Sequence, residues 1–312
     1  MSAPAAATPG RRSNRPLRPV ASGGRRAAAR RHPFFVPFLL ICGLAAALFL
    51  IALAEVLQYS VRLYTPGSLA IGGLTAANFT RLLKPIYLAV LINTILISFL
   101  TALFTLILSY PIALALIRAR RAWVRSILIV LSISPLFTGE IVRTYAWILV
   151  LGTSGFINSA LESLGLIEAP LSMLYTRFGV VVALVQFSMP VMIILLATAI
   201  SHVDRRCEQA AANLGAGPLM VFWRVTLPLS MPGLVAGGDV IFAWTMSAFA
   251  TPELIGGGKV MMLSNLVYLQ GLANFNVPLA ASISLLALVV AIGSLGLMRP
   301  AIARLEQKAA VY

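Results

Sequence analysis

Residues 204–232 decide the fold, and they read DRRCEQAAANLGAGPLMVFWRVTLPLSMP. Asp204 is a residue type that caps helix N-termini, and the alanine-rich run behind it favours a short helix. Gly215 suits the left-handed conformation just beyond a helix end. Pro218 suits the first turn of a second helix, which is expected to stop before Pro228. The pattern predicts two short helices joined by a bend, a shape that also fits a hairpin resting on lipid.

The charged residues are too few for a soluble protein of this size. The chain has 312 residues, of which 60% are hydrophobic and 11% are charged, whereas soluble domains carry roughly 25% charged residues. The same apolar excess excludes an intrinsically disordered chain. The two cysteines, Cys42 and Cys207, do not make a disulfide framework.

Six apolar stretches are long enough to cross a bilayer as helices, which takes about 20 residues each. Membrane helices tolerate the prolines inside several of them, and none shows the alternation of lipid-facing barrel strands. We therefore expect an all-α integral membrane protein with six transmembrane helices. The stretches are 34–54, 86–117, 127–151 (broken by Pro135, Glu140 and Arg143), 180–200, 233–254 and 277–298.

The basic residues predict the orientation. With the N-terminus inside, 18 of the 24 Lys and Arg residues fall in cytoplasmic segments. The positive-inside rule therefore places both termini in the cytoplasm.

Residues 1–33 form an arginine-rich segment that we expect to be a disordered cytoplasmic tail. We expect it to contact anionic lipid rather than nucleic acid, because a hydrophobic span follows directly. The sequence Ala52-Leu53-Ala54 matches a signal-peptidase site, but the preceding run of about 21 residues is longer than the usual hydrophobic region of a signal peptide. We therefore expect an uncleaved first transmembrane helix over residues 34–57.

A second pattern within residues 204–232 is a fixed spacing of several residue types. The residues that carry it are Gln209, Ala210, Ala211, Gly215, Val225, Leu227 and Pro228. This spacing resembles the E-A-A loop of type I, binding-protein-dependent ABC importer permeases, which is Glu-Ala-Ala, three residues, Gly, nine residues, Ile, one residue and Leu-Pro. Gln209 replaces the usual glutamate and Val225 the usual isoleucine, and the neighbouring Glu208 can supply the missing charge.

Other segments between residues 34 and 300 extend this resemblance. Those at 93–94 and 110–113 are typical of the family, and four others resemble the first permease subunit of spermidine/putrescine importers. These four are 142–147, 155–158, 249–257 and 261–265. Ferric iron, phosphonates and opines remain open as substrates, because permeases of the same subfamily carry them.

The resemblance implies a type I ABC importer transmembrane domain over residues 89–298, which contains a cytoplasmic coupling loop at 201–232, and a cytoplasmic tail over 299–312. It also implies a bacterial inner-membrane location. The implied partners are a cytoplasmic ABC ATPase dimer that binds ATP and Mg, a second homologous permease subunit, a periplasmic substrate-binding protein and the lipid bilayer.

The chain itself is not expected to be an enzyme or to bind a cofactor or metal. Residues 256–259 read GGGK but lack the spacing of a phosphate-binding loop. The His and Cys residues lack metal-site spacing, and no base frames a serine nucleophile. The alternative is a stand-alone secondary transporter, which is expected to show inverted repeats and a self-contained site.

Charges within the spans mark candidate residues of a translocation pathway. Glu140 and Arg143 are three residues apart on one predicted helix and can pair. The alternative to a pathway role is that they only neutralise each other near the outer interface. Asp239 has no local partner, so it is either a pathway carboxylate for a cation or a helix-packing hydrogen bond. Glu253 lies near the expected outer mouth.

Aromatic residues in the same segments have two interpretations. They can offer faces for cation–π contacts, or they can anchor the helices at the membrane interface and pack between them. The residues are Tyr145, Trp147 and Trp244.

Overall fold

The computed structural model describes residues 35–65 and 72–309. Within these ranges the regular structure is helical, apart from one isolated antiparallel bridge between Arg62 and Leu74. The predicted disordered tail over 1–33 lies outside the described residues. Of the described residues, those up to Ile51 belong to one compact unit and those from Ala52 onward to another.

Thirteen α-helices follow one another in the described part of the chain, together with one 3₁₀ turn and two π-helical turns. The 3₁₀ turn is Ser134–Phe137, and the π turns are Phe222–Thr226 and Leu269–Ala273. The α-helices are α1 (Phe35–Ser60), α2 (Ala77–Leu82), α3 (Pro85–Arg118), α4 (Ala122–Ile133), α5 (Glu140–Leu151), α6 (Phe156–Ser163), α7 (Arg177–Ser201), α8 (Arg205–Asn213), α9 (Pro218–Val221), α10 (Leu227–Met246), α11 (Ala250–Gly256), α12 (Leu263–Tyr268) and α13 (Val277–Ala309).

Among the described residues, five helical segments are long and apolar enough to cross a membrane. They lie in α1, α3, α7, the continuous helix Pro218–Met246 and α13. A sixth span results when Ala122–Phe137 and Glu140–Ser163, which meet at an angle of 102°, are counted as one broken span. The predicted break is confirmed, because Pro135 is the second residue of the 3₁₀ turn and Gly139 precedes the new helix.

The end of the predicted fifth span is wrong. The helix ends at Met246 instead of continuing to residue 254, and α11 begins at Ala250. Pro252 has no N–H group, so a continuous helix would leave the carbonyl of Ala248 without its usual donor. The hydroxyl of Ser264 donates to that carbonyl instead, at 2.5 Å.

The predicted stop before Pro228 is also wrong, because one helix runs from Pro218 to Met246. The π turn lets the N–H of Leu227 bond to the carbonyl of Phe222, five residues earlier. This wider turn changes the hydrogen-bond register of the helix, so that Pro228 falls in the first turn of α10. In a first turn, the missing N–H group of a proline costs nothing. At the other end of the chain, the predicted tail at 299–312 continues α13 as helix up to Ala309.

The core is formed by α3, α7 and α10, which pack along one another. Small residues make these contacts close. A Cβ atom added at Gly233 of α10 would lie 2.2 Å from the Cβ of Ala199 on α7. The face of α3 in this core carries small hydroxyl residues, which are Thr94, Ser98, Thr101, Thr105 and Ser109.

Candidate functional site

The bend within residues 204–232 has the predicted backbone chemistry. The carboxylate of Asp204 accepts a hydrogen bond from the N–H of Arg206 at 2.8 Å and caps α8. At the other end of α8, the N–H of Gly215 bonds to the carbonyl of Ala212, and that of Ala216 to the carbonyl of Ala211. This is a Schellman motif, which requires a left-handed residue after the helix. Gly215 supplies it with a φ of +85°.

Large apolar side chains around this bend are exposed. Leu214 is 90% exposed, Leu219 71% and Trp223 60%. Gln209 and Ala210 are exposed beside them on α8. Exposed apolar side chains of this size are typical of interaction sites, and we call these five residues the docking face.

The other predicted residues of the loop differ in how far they are buried. Ala211, Val225 and Leu227 are partly buried, whereas Pro228 is exposed at the start of α10. Phe222, between them, packs edge-on against the ring of Tyr110 on α3, with 5.5 Å between ring centroids.

The carboxylate of Glu208 is engaged by side chains of this subunit. Its Oε1 accepts hydrogen bonds from Nη2 of Arg118 and from the hydroxyl of Thr226. Glu208 is the only acidic residue of α8, so the exposed surface of this helix carries no free carboxylate. Arg118 and Thr226 were not predicted, because nothing in the local sequence brings the end of α3 to this loop.

Arg143 and Glu140 do not form the predicted ion pair. Glu140 is the first residue of α5, and the guanidinium of Arg143 lies instead over the ring of Phe187 on α7, 4.5 Å from its centroid. Nε and Nη1 of Arg143 have no hydrogen-bond partner in the described part of the chain. Phe187 also contacts Trp244 of α10, with 6.2 Å between ring centroids. The structure therefore places a stack of Arg143, Phe187 and Trp244 across three helices.

The remaining predicted aromatic residues differ in their exposure. Trp147 donates a hydrogen bond from Nε1 to Oε1 of Gln186 at 3.3 Å and packs against the core. Tyr145 is 55% exposed. Trp147 thus has a packing role in this subunit, whereas the ring of Tyr145 is free to contact another molecule.

Asp239 is 7% exposed, and its Oδ2 has no hydrogen-bond partner among the described residues. The hydrogen bond of the packing alternative is therefore not formed in this subunit. Asp239 lines a cavity of about 550 Å³ between α3, α10 and α13. Apart from Asp239 and Ser294, the side chains around it are apolar, with Phe99, Phe242 and Met298 among them.

Glu253 lies in the first turn of α11, beyond the C-terminal end of α10, and is exposed. Its Oε2 accepts a hydrogen bond from Nδ2 of Asn265 at 2.7 Å, and the same Nδ2 donates to the carbonyl of Phe249 at 3.3 Å. No hydrogen bond or ion pair within residues 35–65 and 72–309 joins Glu140, Asp239 and Glu253 to one another.

Comparisons with known proteins agree with this fold. Residues 85–305 match the family of binding-protein-dependent transport system inner membrane components. The spermidine/putrescine transport system permease protein PotB of Escherichia coli (strain K12) is 33% identical over 216 residues, which are 69% of this chain and 78% of PotB. PotB of Haemophilus influenzae is 32% identical over 212 residues, 68% of this chain and 74% of its own length.

A solved structure shows the same fold at lower identity. It is a bacterial ABC transporter involved in the import of the acidic polysaccharide alginate, with a TM-score of 0.70, 18% identity, and coverage of 86% of this chain and 95% of that chain. The fold of this chain agrees with that structure, and the family match covers most of the chain. The chain belongs to the family of binding-protein-dependent transport system inner membrane components.

Proposed function

We propose that this chain is a pore-forming permease of an ATP-driven importer whose substrate is a polyamine such as spermidine or putrescine. The observation that carries the substrate assignment is the identity of 32–33% with PotB proteins over about two thirds of the chain. The proposed assembly contains a cytoplasmic ATPase dimer that binds ATP and Mg, a second homologous permease and a periplasmic binding protein. The chain supplies helices and a docking surface, and ATP hydrolysis belongs to the ATPase.

The cavity beside Asp239 supports a cationic substrate. A carboxylate without a partner in an apolar setting is costly, and a protonated amine would relieve that cost. The apolar lining suits the hydrocarbon segments that separate the amino groups of a polyamine. Asp239 is therefore the residue of this chain that we assign to the pathway first.

One observation favours a second candidate. The guanidinium of Arg143 has two nitrogens without a partner in the described part of the chain. An unpaired guanidinium suits an anionic group such as a phosphonate. Importers of phosphonates, which the sequence left open, are therefore the alternative that the substrate test includes.

The docking face supports the assignment of residues 201–232 to coupling. Leu214, Leu219 and Trp223 expose more apolar surface than a solvent-facing loop needs. A cleft in the ATPase that accepts these side chains would bury them. We assign Gln209, Ala210 and Gly215 to the same contact because they border these side chains.

Uptake by a deletion strain tests the substrate. A strain that lacks this chain is expected to lose most of its high-affinity uptake of labelled spermidine or putrescine, and a plasmid copy of the chain should restore it. Uptake of a labelled phosphonate and of ferric iron in the same strains is the matched comparison. Normal polyamine uptake together with loss of phosphonate or iron uptake would reassign the substrate and leave the permease class intact.

A topology reporter tests the orientation. A reporter enzyme that works only in the cytoplasm is expected to be active when it is fused after Lys308. The reason is that 18 of the 24 basic residues fall on the cytoplasmic side in the six-span arrangement. A fusion within residues 152–176 should give the opposite signal. Periplasmic activity after Lys308 would contradict an even number of spans with a cytoplasmic N-terminus.

A further inference from the structure

The side chains that hold α8 against the membrane helices are polar. No residue of α8 is buried, so no apolar side chain anchors this helix in the core. Arg118, the last residue of α3, donates from Nη2 to Oε1 of Glu208 and to the hydroxyl of Thr226, the latter at 3.0 Å. Thr226 in turn donates to the same oxygen of Glu208, at 2.6 Å. We call this closed set of contacts the Arg118–Glu208–Thr226 triangle.

The buried hydroxyl of Thr226 distinguishes the triangle from an ordinary surface ion pair. Thr226 is fully buried, and the side chain of Glu208 is 19% exposed against 38% for Arg118. The triangle holds the only ion pair within the described ranges. Exposed pairs contribute little because water and salt screen them, whereas a charge-assisted set that shares one buried hydroxyl fixes the geometry of all its members.

The triangle connects α8 to two helices of the core at once. Arg118 ends α3, and Thr226 ends the π turn that leads into α10. A further contact supports the first connection, because Nη2 of Arg205 donates to the carbonyl of Ile117 at 2.9 Å. That carbonyl lies in the last turn of α3, where it has no partner within the helix. Since α3 and α10 pack along α7, the triangle attaches α8 to the whole core.

We propose that the Arg118–Glu208–Thr226 triangle is the joint that makes α8 move as one body with α3 and α10. The proposal rests on the proposed role of the docking face, which brings the force of the ATPase to α8. Without the triangle, α8 would keep its backbone connections and the contact of Arg205, and it could shift without carrying α3 and α10 along. Arg118, Glu208 and Thr226 are therefore positioning residues for energy coupling.

The test uses the complete importer in liposomes, with this chain, its second permease, the ATPase and the periplasmic binding protein, and spermidine as the added substrate. The coupling readout is the ratio of ATP hydrolysis with the binding protein to hydrolysis without it, because that signal must cross the membrane helices to reach the ATPase. Glu208→Ala and Thr226→Val are expected to keep the ATPase bound and to lower this ratio about fivefold or more, the range of typical allosteric couplings.

A charge-exchange experiment distinguishes a role of the triangle in coupling from a purely structural contact. Arg118→Glu and Glu208→Arg are each expected to lower the ratio, and the double variant should recover at least half of the wild-type value, because the Thr226 hydroxyl can still bond to both partners. Arg120→Gln is the matched control, since this exposed arginine has no side-chain hydrogen bond in the described part of the chain. It should leave the ratio unchanged.

Each other outcome overturns the proposal in a distinguishable way. If Glu208→Ala keeps the ATPase bound and has the wild-type ratio of ATP hydrolysis with and without the binding protein, the triangle is not the joint. The proposed role of the docking face would remain intact. Loss of ATPase binding in Glu208→Ala, without recovery in the double variant, would mean that the triangle only maintains the local fold. A wild-type chain that does not retain the ATPase at all would overturn both the joint and the proposed coupling loop.

Discussion

Gly215→Asp is expected to abolish uptake while the protein remains folded in the membrane. Gly215 has a φ of +85°, and a Cβ atom there would meet no atom within 4 Å. The cost of a side chain is therefore conformational, about 1 kcal/mol, which is too small to unfold a protein of this size. The resulting change in the angle between α8 and the helix after Pro218 would misplace Leu214 and Leu219 for the ATPase, and the aspartate would add a charge at that contact.

Two control variants isolate the bend of the loop. Gly217→Ala changes a glycine with a φ of −66° that also meets no atom within 4 Å, so it should leave uptake unchanged. Gln209→Glu restores the usual residue of the family and should be tolerated. Copurification of the ATPase and uptake are measured in each variant, and we expect both to fall only for Gly215→Asp. Normal transport by Gly215→Asp would remove the main support for the coupling loop.

The ends of the short helices could be predicted from sequence because local chemistry determines them. Asp204 caps, Gly215 adopts a left-handed conformation and Pro218 begins a helix, and each of these roles needs only neighbouring backbone groups. The spans could be predicted for the same reason, since hydropathy is a property of consecutive residues. The effect of Pro228 could not be predicted, because no residue pattern announces the upstream π turn that shifts the hydrogen-bond register before the proline is reached.

The contacts of the charged residues could not be predicted, because their partners are distant in sequence. Arg118 and Glu208 are 90 residues apart. Arg143 was paired with Glu140 because helical spacing offers only local partners, whereas the tertiary structure offers it the ring of Phe187. The sequence therefore identifies which residues need a partner, and the packing of α3, α7 and α10 decides which partner they meet.

Asp239→Asn is expected to slow polyamine uptake by about ten- to hundredfold, because a hydrogen bond to a charged group contributes about 1.5–3 kcal/mol. Asparagine has the same shape as aspartate, so the cavity between α3, α10 and α13 keeps its volume and loses only its charge. Uptake of labelled spermidine and copurification of the ATPase are measured in the same membranes.

The expected assembly of this variant follows from the buried environment of Asp239. Oδ2 of this residue has no hydrogen-bond partner to lose among the described residues, and a neutral amide costs less to bury than a carboxylate. The variant should therefore assemble at least as well as the wild type, which separates a transport defect from misfolding. Glu162→Gln removes an exposed carboxylate of α6 and serves as the control for charge alone. If Asp239→Asn transports spermidine at the wild-type rate, Asp239 has no role in the pathway, and the cavity beside it is only a packing gap between three helices.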